Sequence, residues 1–166
     1  MRFVNSVCVI HVVFKLIMTL DLPVGYKLRP ATPQDIRAIR RLVWQARLDP
    51  TQLRWQQFWI IEQGEVIIAC GQLRCHGTVQ ELGSLVVAPP QRQQGLGSYL
   101  VQHLIQQSTR PLYLECLGKN LKQYYHRFGF VPISWQELPS ELKLKFGISQ
   151  LGQIFLRIPV FFMVSN

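Results

Sequence analysis

The sequence has few cysteines, and their spacing excludes the common metal sites. None of the four cysteines forms a Cys-x-x-Cys pair, and only Cys75 and His76 place two potential ligands side by side. We therefore expect free thiols, no bound metal and a reducing, cytoplasmic compartment. Cys70 and Cys116 lie in apolar runs typical of strands, and we predict that both are small core residues.

The chain also lacks internal repeats, low-complexity runs, zinc-finger spacing, the aromatic signature of RNA-binding domains and a helix-turn-helix pattern. Its 166 residues and its apolar content of 48% are typical of one domain with a substantial core. The formal net charge is +9, but the lysines and arginines are scattered rather than grouped. This pattern favours an anionic small molecule over nucleic acid. A nucleic-acid binder would reveal itself by a steep salt dependence of binding.

Residues 1–17 lack the features that would identify a targeting segment. The stretch is apolar, but it is interrupted by Arg2 and Lys15 among others, and it is too short for a secure membrane span. No small-residue cleavage site follows it, as a signal peptide would require. We interpret it as a non-structural extension that results from a mis-called start codon, with Met18 as the expected start of a single domain over residues 18–166. A membrane-anchored form would depend on whether residues 1–17 are made.

The most informative segment is a polar loop between an apolar strand and an amphipathic helix, at residues 85–98. It lacks the lysine of a P-loop and the third glycine of a dinucleotide fingerprint. Gly95 and Gly97 nevertheless let a phosphate approach the backbone closely. The first turn of the following helix offers unpaired N–H groups and the positive end of the helix dipole. The segment therefore predicts a phosphate or pyrophosphate site.

Hydrophobic periodicity predicts an α/β fold with a mixed sheet. The predicted element order is β-α-α-β-β-β-α-β-α-β-β, and Thr32 with Pro33 marks the start of the first helix. The strand–helix–strand unit around the loop requires a parallel strand pair, and helices are expected on both faces. A later helix is predicted over residues 120–128. Its inward face consists of Leu121, Tyr124, Tyr125 and Phe128.

Two motifs make the chain resemble the GNAT acetyltransferase superfamily. Arg92, Gly95 and Gly97 fill the family's coenzyme A signature, R/Q-x-x-G-x-G/A after a strand. Residues 124–130, Tyr-Tyr-His-Arg-Phe-Gly-Phe, resemble the family's F/Y-Y-x-[K/R]-x-G-F segment. The resemblance covers roughly residues 26–135. It implies the GNAT fold, a mixed and mostly antiparallel central sheet with a splayed parallel strand pair at the coenzyme A site.

The resemblance also implies how the chain would bind acetyl-CoA as its co-substrate. The backbone of Leu85, Val86 and Val87 would pair with the pantetheine amides where the strand splays from its neighbour. The loop would hold the pyrophosphate through Arg92, Gln93, Gln94, Gly95, Leu96, Gly97 and Ser98. Gly118 stands where many family members have an asparagine, so that cofactor contact is not expected here.

Tyr125 matches the family tyrosine that protonates the leaving thiolate, with Tyr124 as the neighbouring alternative. Both lie on an apolar helix face, so a structural role for Tyr125 stays open. Glu81 stands fourteen residues before Gly95, where some protein-acetylating members place a general-base glutamate. The alternative for Glu81 is a solvated charge at a strand end, and Glu115 on the next strand is a competing carboxylate.

These features together predict an N-acetyltransferase that acts on a primary amine of a small molecule or a protein. We expect His103 to be packed and Cys116 to be a core thiol, because nothing nearby in sequence lowers the pKa of Cys116. Without an activated nucleophile, direct transfer in a ternary complex is expected. The alternative is a catalytically inactive acyl-CoA-binding regulatory or interaction module. No nucleic-acid partner is expected, and the choice between monomer and homodimer stays open.

Overall fold

The computed structural model describes residues 22–147 and 159–165, in which seven strands form one sheet. The strands are β1 (Tyr26–Pro30), β2 (Phe58–Gln63), β3 (Val66–His76), β4 (Val79–Val87), β5 (Leu112–Leu117), β6 (Val131–Ile133) and β7 (Val160–Ser165). The helices are α1 (Ile36–Gln45), α2 (Leu96–Gln107) and α3 (Lys119–His126), with 3-10 turns at Pro33–Asp35, Trp55–Gln57 and Pro89–Gln91. Residues 140–147 are also helical. The predictions for residues 1–17 lie outside the described residues.

The sheet is antiparallel at every neighbouring pair except one. Its order is β1-β2-β3-β4-β5-β7-β6, and only β4 and β5 run parallel within the described ranges. The strand–helix–strand unit made of β4, α2 and β5 produces this parallel pair, because a helix returns the chain to the starting edge. The predicted mixed sheet of GNAT type is confirmed.

Helices cover both faces of the sheet. Ile60 and Cys70 pack against α1, whereas their chain neighbours Ile61 and Ala69 pack against α2. Since successive residues of a strand point to opposite faces, α1 and α2 lie on opposite sides. This confirms the predicted layering, with helices on both faces of the sheet.

The start of α1 follows the predicted cap. Thr32 and Asp35 form a capping box around the 3-10 turn that leads into α1. The Asp35 carboxylate also accepts hydrogen bonds from both terminal nitrogens of Arg29 on β1, at 2.7 and 3.0 Å. The Arg29 guanidinium holds the pKa of Asp35 well below its usual range, against the opposing effect of burial. These contacts fix α1 to the edge of the sheet.

The predicted inward face of the helix after β5 is partly wrong. Tyr125 is buried, but Leu121 is 45% exposed. In the last turn of the helix, Tyr125 packs edge to face against Phe130 at a centroid distance of 5.9 Å. Leu121 lies one turn before Tyr125, in the first part of α3, where its side chain stays exposed.

The two cysteines predicted to be core residues are buried. Cys70 and Cys116 are 0% and 4% exposed, and both are free thiols. Burial raises the pKa of the Cys116 thiol to about 11, with Glu115 adding to the rise. The prediction of a core thiol rather than a nucleophile is confirmed. No helix within residues 22–147 and 159–165 is long and apolar enough to cross a membrane.

Candidate active site

A β-bulge interrupts β4 at its centre. Cys70 pairs with Val86 and Gln72 with Gly83, so two residues of β4 stand opposite a single residue of β3. Ser84, one of the two, has a φ of +49°, which a residue other than glycine rarely adopts. Such a bulge bends the strand and re-aims the backbone that follows it.

Beyond the paired end of β4, its backbone diverges from β5. The two strands pair only at Gln80 with Leu112 and at Glu81 with Tyr113 in the described part of the chain. The stretch 85–87 therefore leaves one backbone edge without a strand partner from β5. An extended ligand with amide groups can add to this edge as a further strand would. The geometry has the splayed form that the resemblance implied.

The loop after β4 leads into an uncapped helix N-terminus. Gln93 and Gly95 have left-handed φ values of +65° and +82°, and Gly95 caps α2 without any side-chain hydrogen bond. The first N–H groups of α2 consequently have no capping partner from a side chain, and they carry the positive end of the helix dipole. Arg92 is fixed beside them, because its Nε donates to the carbonyl oxygen of Val87 at 3.0 Å.

A surface cavity of about 400 Å³ opens over this helix end. Its lining residues are Val87, Gln91, Arg92, Gln93, Gly95, Leu96, Gly97, Ser98, Tyr124 and Arg127. Most of the predicted loop residues therefore meet in one place. A Cβ built on Gly97 would lie 3.3 Å from the Tyr124 hydroxyl and 3.5 Å from Val87 Cγ2. Only glycine leaves the floor of this cavity open at that position.

The side chains of three predicted cofactor-binding residues do not line the cavity. Leu85 and Val86 pack into the core, so only their backbone is available to a ligand. Gln94 accepts a hydrogen bond from the Tyr26 hydroxyl at 2.9 Å and does not line the cavity. Conversely, the sequence interpretation assigned no role to Arg127. Arg127 stands three residues after Tyr124, and this spacing could have predicted that both side chains lie on the same side of the helix.

The two adjacent tyrosines occupy different environments. Tyr124 lines the cavity and its hydroxyl is hydrogen-bonded to Ser98; burial raises the pKa of Tyr124, while Ser98 and Arg127 lower it. Tyr125 is 8% exposed and belongs to the buried cluster that also contains Leu82 of β4. Burial raises the pKa of Tyr125 well above its usual range. The two hydroxyls thus lie in different environments.

Glu81 lies at the centre of a buried polar cluster on the opposite end of β4. Its carboxylate accepts a hydrogen bond from Arg74 at 2.7 Å, lies 2.9 Å from His76 Nε2, and is 2.5 Å from the Lys145 ammonium. Glu81 is only 4% exposed, so the alternative of a solvated strand-end charge is wrong. The reason is the register: Arg74 stands directly across from Glu81 on β3.

This cluster continues to the bulge. Arg74 also donates to the Ser84 hydroxyl at 2.9 Å, and Ser84 donates to the Gln72 side chain at 3.2 Å. The Arg74 guanidinium lies so close to Gly83 that a Cβ there would be 2.4 Å from its Nη1. The cluster therefore joins Glu81 to the point where β4 bends away from β5.

The cationic neighbours determine the charge of Glu81. Burial alone would raise its pKa, but His76, Arg74 and Lys145 together lower the pKa of Glu81 to about 2. Burial lowers the pKa of Lys145, against the opposing effect of Glu81. Glu81 is therefore ionised across the neutral range and holds cations rather than a proton.

A pH titration tests this cluster. Because the pKa of Glu81 is depressed from 4.5 to about 2, its contribution to stability is complete above pH 4.5 and is lost as the pH falls towards 2. We expect the wild type to lose about 3 kcal/mol more than Glu81→Gln between pH 7 and pH 2, measured by urea unfolding. Glu65→Gln, at an exposed hairpin position, is the control. Equal pH dependence in wild type and Glu81→Gln would contradict the ion pairs.

The remaining sequence candidates have structural environments. His103 packs edge-on against Trp59 at a centroid distance of 4.1 Å, and burial lowers its pKa, which confirms the packed interpretation. Glu115 lies on β5 opposite Phe162 of β7, away from the pairing between β4 and β5. No group of three or more His, Cys, Asp or Glu side chains within the described ranges is arranged to hold a metal ion.

Comparison with known proteins agrees with this geometry. Residues 54–132 match the family model of the acetyltransferase (GNAT) domain. The match includes the bulge, the splayed strands, the loop and α3. No curated protein sequence matches the chain. Taken with the two sequence motifs and the fold, the match over residues 54–132, just under half of the chain, makes this part similar to a GNAT acetyltransferase domain.

Solved structures share the fold at low identity. N-acetylglutamate synthase from Neisseria gonorrhoeae, complexed with coenzyme A and N-acetyl-glutamate, aligns at a TM-score of 0.70 and 19% identity, over 87% of this chain and 35% of that chain. Rv2747 from Mycobacterium tuberculosis, complexed with CoA, aligns at 0.65 and 20% identity, over 84% and 98% of the two chains. Escherichia coli ElaA aligns at 0.62 and 13% identity, over 85% and 99%. The chain thus spans about a third of the length of the gonococcal enzyme.

Proposed function

We propose that the protein transfers an acetyl group from acetyl-CoA to a primary amine, directly and in a ternary complex. The observation that carries this proposal is the continuity between the loop cavity and the splayed strands. Val87 ends β4 and also lines the cavity, so a ligand anchored at the loop is led along the unpaired edge of β4. A long, flexible molecule with a pyrophosphate at one end and amides in its chain matches this path.

The loop residues would bind the phosphate end. The N–H groups at the start of α2 and the guanidinium groups of Arg92 and Arg127 supply donors and positive charge. Gly97 leaves the space into which the phosphates fit. The backbone of residues 85–87 would pair with the pantetheine amides, which brings the thioester towards the bulge at Ser84.

Tyr125 is the proposed acid for the leaving thiolate. It belongs to a cluster that includes Leu82 of β4 and Leu114 of β5, the two strands that flank the gap. A tyrosine hydroxyl is protonated at neutral pH, as an acid requires, and burial, which raises the pKa of Tyr125, makes it a weaker acid than a free tyrosine. Tyr124 contacts Ser98 at the phosphate end instead. We therefore assign Tyr124 to coenzyme binding.

Glu81 is proposed to bind and orient the acceptor amine. It stands on the last hydrogen-bonded rung before β4 and β5 separate, and it is ionised at neutral pH. A carboxyl whose pKa is about 2 is a weak base, so its first contribution is to hold the ammonium. The amine would lose its proton to solvent.

A second candidate function is supported by the same cluster. Two cations, Arg74 and Lys145, and a contact with His76 already compensate Glu81, which leaves a weak base for turnover. An acyl-CoA-binding regulatory or interaction module without turnover would tolerate this arrangement. Binding of the coenzyme is common to both candidates, and formation of an acetylated amine separates them.

Thermal stabilisation tests the coenzyme site. Acetyl-CoA should stabilise the full chain by about 2.7 kcal/mol at a hundredfold excess over its dissociation constant. ATP and NAD, which share phosphates but lack the pantetheine arm, should stabilise it much less. Absence of a shift with any acyl-CoA contradicts the proposal. An equal thermal shift with ATP would indicate that the loop binds phosphates in general and does not select acyl-CoA.

A further inference from the structure

The side chain of Lys145 brings a primary amine of this chain to the position proposed for the acceptor. Its Nζ lies 2.5 Å from both carboxylate oxygens of Glu81. The side chain is 15% exposed, whereas the ammonium of Lys27 on β1 is carried by a side chain that is 71% exposed. A lysine amine is thus held, mostly out of solvent, where an external amine would have to bind.

The surroundings of Lys145 place this amine beside the splayed strands. Glu81 belongs to the last rung that joins β4 to β5. Arg74 links Glu81 to Ser84, the bulge residue, through hydrogen bonds of 2.7 and 2.9 Å. Glu81 and Arg74 therefore connect the amine of Lys145 to Ser84, where β4 bends. Lys145 belongs to the helical residues 140–147, which lie outside the strands.

We propose that Lys145 is a self-acetylation site of this protein. This inference rests on the proposed function, because it uses the same acyl-CoA donor and the same site. The neutral Nζ attacks the thioester carbonyl carbon, the new N–C bond forms and the C–S bond breaks. The Lys145 ammonium loses one proton to solvent before the attack, and the nitrogen loses a second proton after it, while the thiolate gains a proton and leaves as free thiol. Acetylation removes one of the cations that surround Glu81.

The chemical environment distinguishes this reaction from uncatalysed acetylation. Uncatalysed reaction with a thioester favours lysines that solvent and reagent reach freely, and Lys27 is such a residue. Lys145 is shielded, so it reacts rapidly only if the protein delivers the thioester to it. Burial lowers the pKa of Lys145, which increases the neutral fraction of the amine, although the geometry is the main argument.

Peptide mass spectrometry of the full chain incubated with acetyl-CoA tests the proposal. We expect Lys145 to be acetylated at least about tenfold faster than Lys27, with a first-order rate constant that does not depend on protein concentration. Lys145→Arg should lose the rapid phase, and Lys143→Arg, two residues away in the same helical segment, should keep it. Gly97→Val should also lose the rapid phase, because it closes the coenzyme cavity.

Three outcomes would overturn the inference: acetylation of Lys27 as fast as that of Lys145, an unchanged rapid phase in Lys145→Arg, or an apparent first-order rate constant that increases in proportion to protein concentration. An amine mixture in the same reactions separates the two proposals. Acetylated external amine without acetylated Lys145 refutes self-acetylation alone. Neither product, in the presence of bound acetyl-CoA, refutes both self-acetylation and the transferase function.

Discussion

Replacing Gly97 by valine is expected to lower the affinity for acetyl-CoA at least about a hundredfold, or about 2.7 kcal/mol, while the fold is retained. A Cβ at Gly97 already lies 3.3 Å from the Tyr124 hydroxyl, and the two further methyl groups of valine would fill the phosphate end of the cavity. Glycine and valine are both weak helix formers, so the helix itself is affected little. Titration calorimetry with acetyl-CoA measures the loss.

Gly97→Ala provides the graded control. One methyl group requires Tyr124 to shift by a few tenths of an ångström, so the affinity should lie between those of the wild type and Gly97→Val. Thermal unfolding without ligand should be similar in all three proteins. Wild-type affinity in Gly97→Val would show that the coenzyme binds elsewhere, and unfolding of Gly97→Val but not Gly97→Ala would mark Gly97 as a packing residue.

Replacing Tyr125 by phenylalanine is expected to lower kcat on the order of a hundredfold with little change in the affinity for acetyl-CoA. The substitution keeps the ring that packs against Phe130 and removes only the hydroxyl. Because the proposed acid acts on the leaving thiolate, removing it should destabilise the transition state and leave substrate binding nearly unchanged. Steady-state kinetics with a fixed amine, normalised to folded protein, measure it.

Tyr124→Phe is the matched control at the adjacent position. Its hydroxyl is bonded to Ser98 beside the cavity, so its loss should raise the KM for acetyl-CoA and leave kcat nearly unchanged. If Tyr124→Phe lowered kcat and Tyr125→Phe raised the KM for acetyl-CoA, the roles of the two tyrosines would be reversed. Reduced stability of Tyr125→Phe with an intact rate per folded molecule would make that hydroxyl structural.

The sequence was most informative where local chemistry determines local structure. The cap at Thr32 and the strand–helix–strand order predicted the start of α1 and the parallel pair correctly. Each depends on residues close together in the chain. The face of α3 was harder to predict, because the burial of Leu121 depends on where the helix ends relative to the sheet.

The polar cluster shows what the sequence could not supply. Glu81 was singled out by its distance from the loop, but its partners Arg74 and Lys145 come from a neighbouring strand and from a segment 64 residues further on. No local pattern marks such a contact. The charge state of Glu81, and hence its value as a base, follows only from the assembled cluster. The separation of Tyr124 from Tyr125 likewise depends on the position of α2.

Detection of an acetylated amine tests the central claim most directly. The full chain should be incubated with acetyl-CoA and a library of primary amines and amine-bearing peptides, and the products identified by mass spectrometry. The proposed function predicts at least one N-acetylated product whose formation releases coenzyme A in equal amount and fails with Gly97→Val. Tight acetyl-CoA binding with no acetylated amine from any acceptor would contradict it and would favour the binding module without turnover.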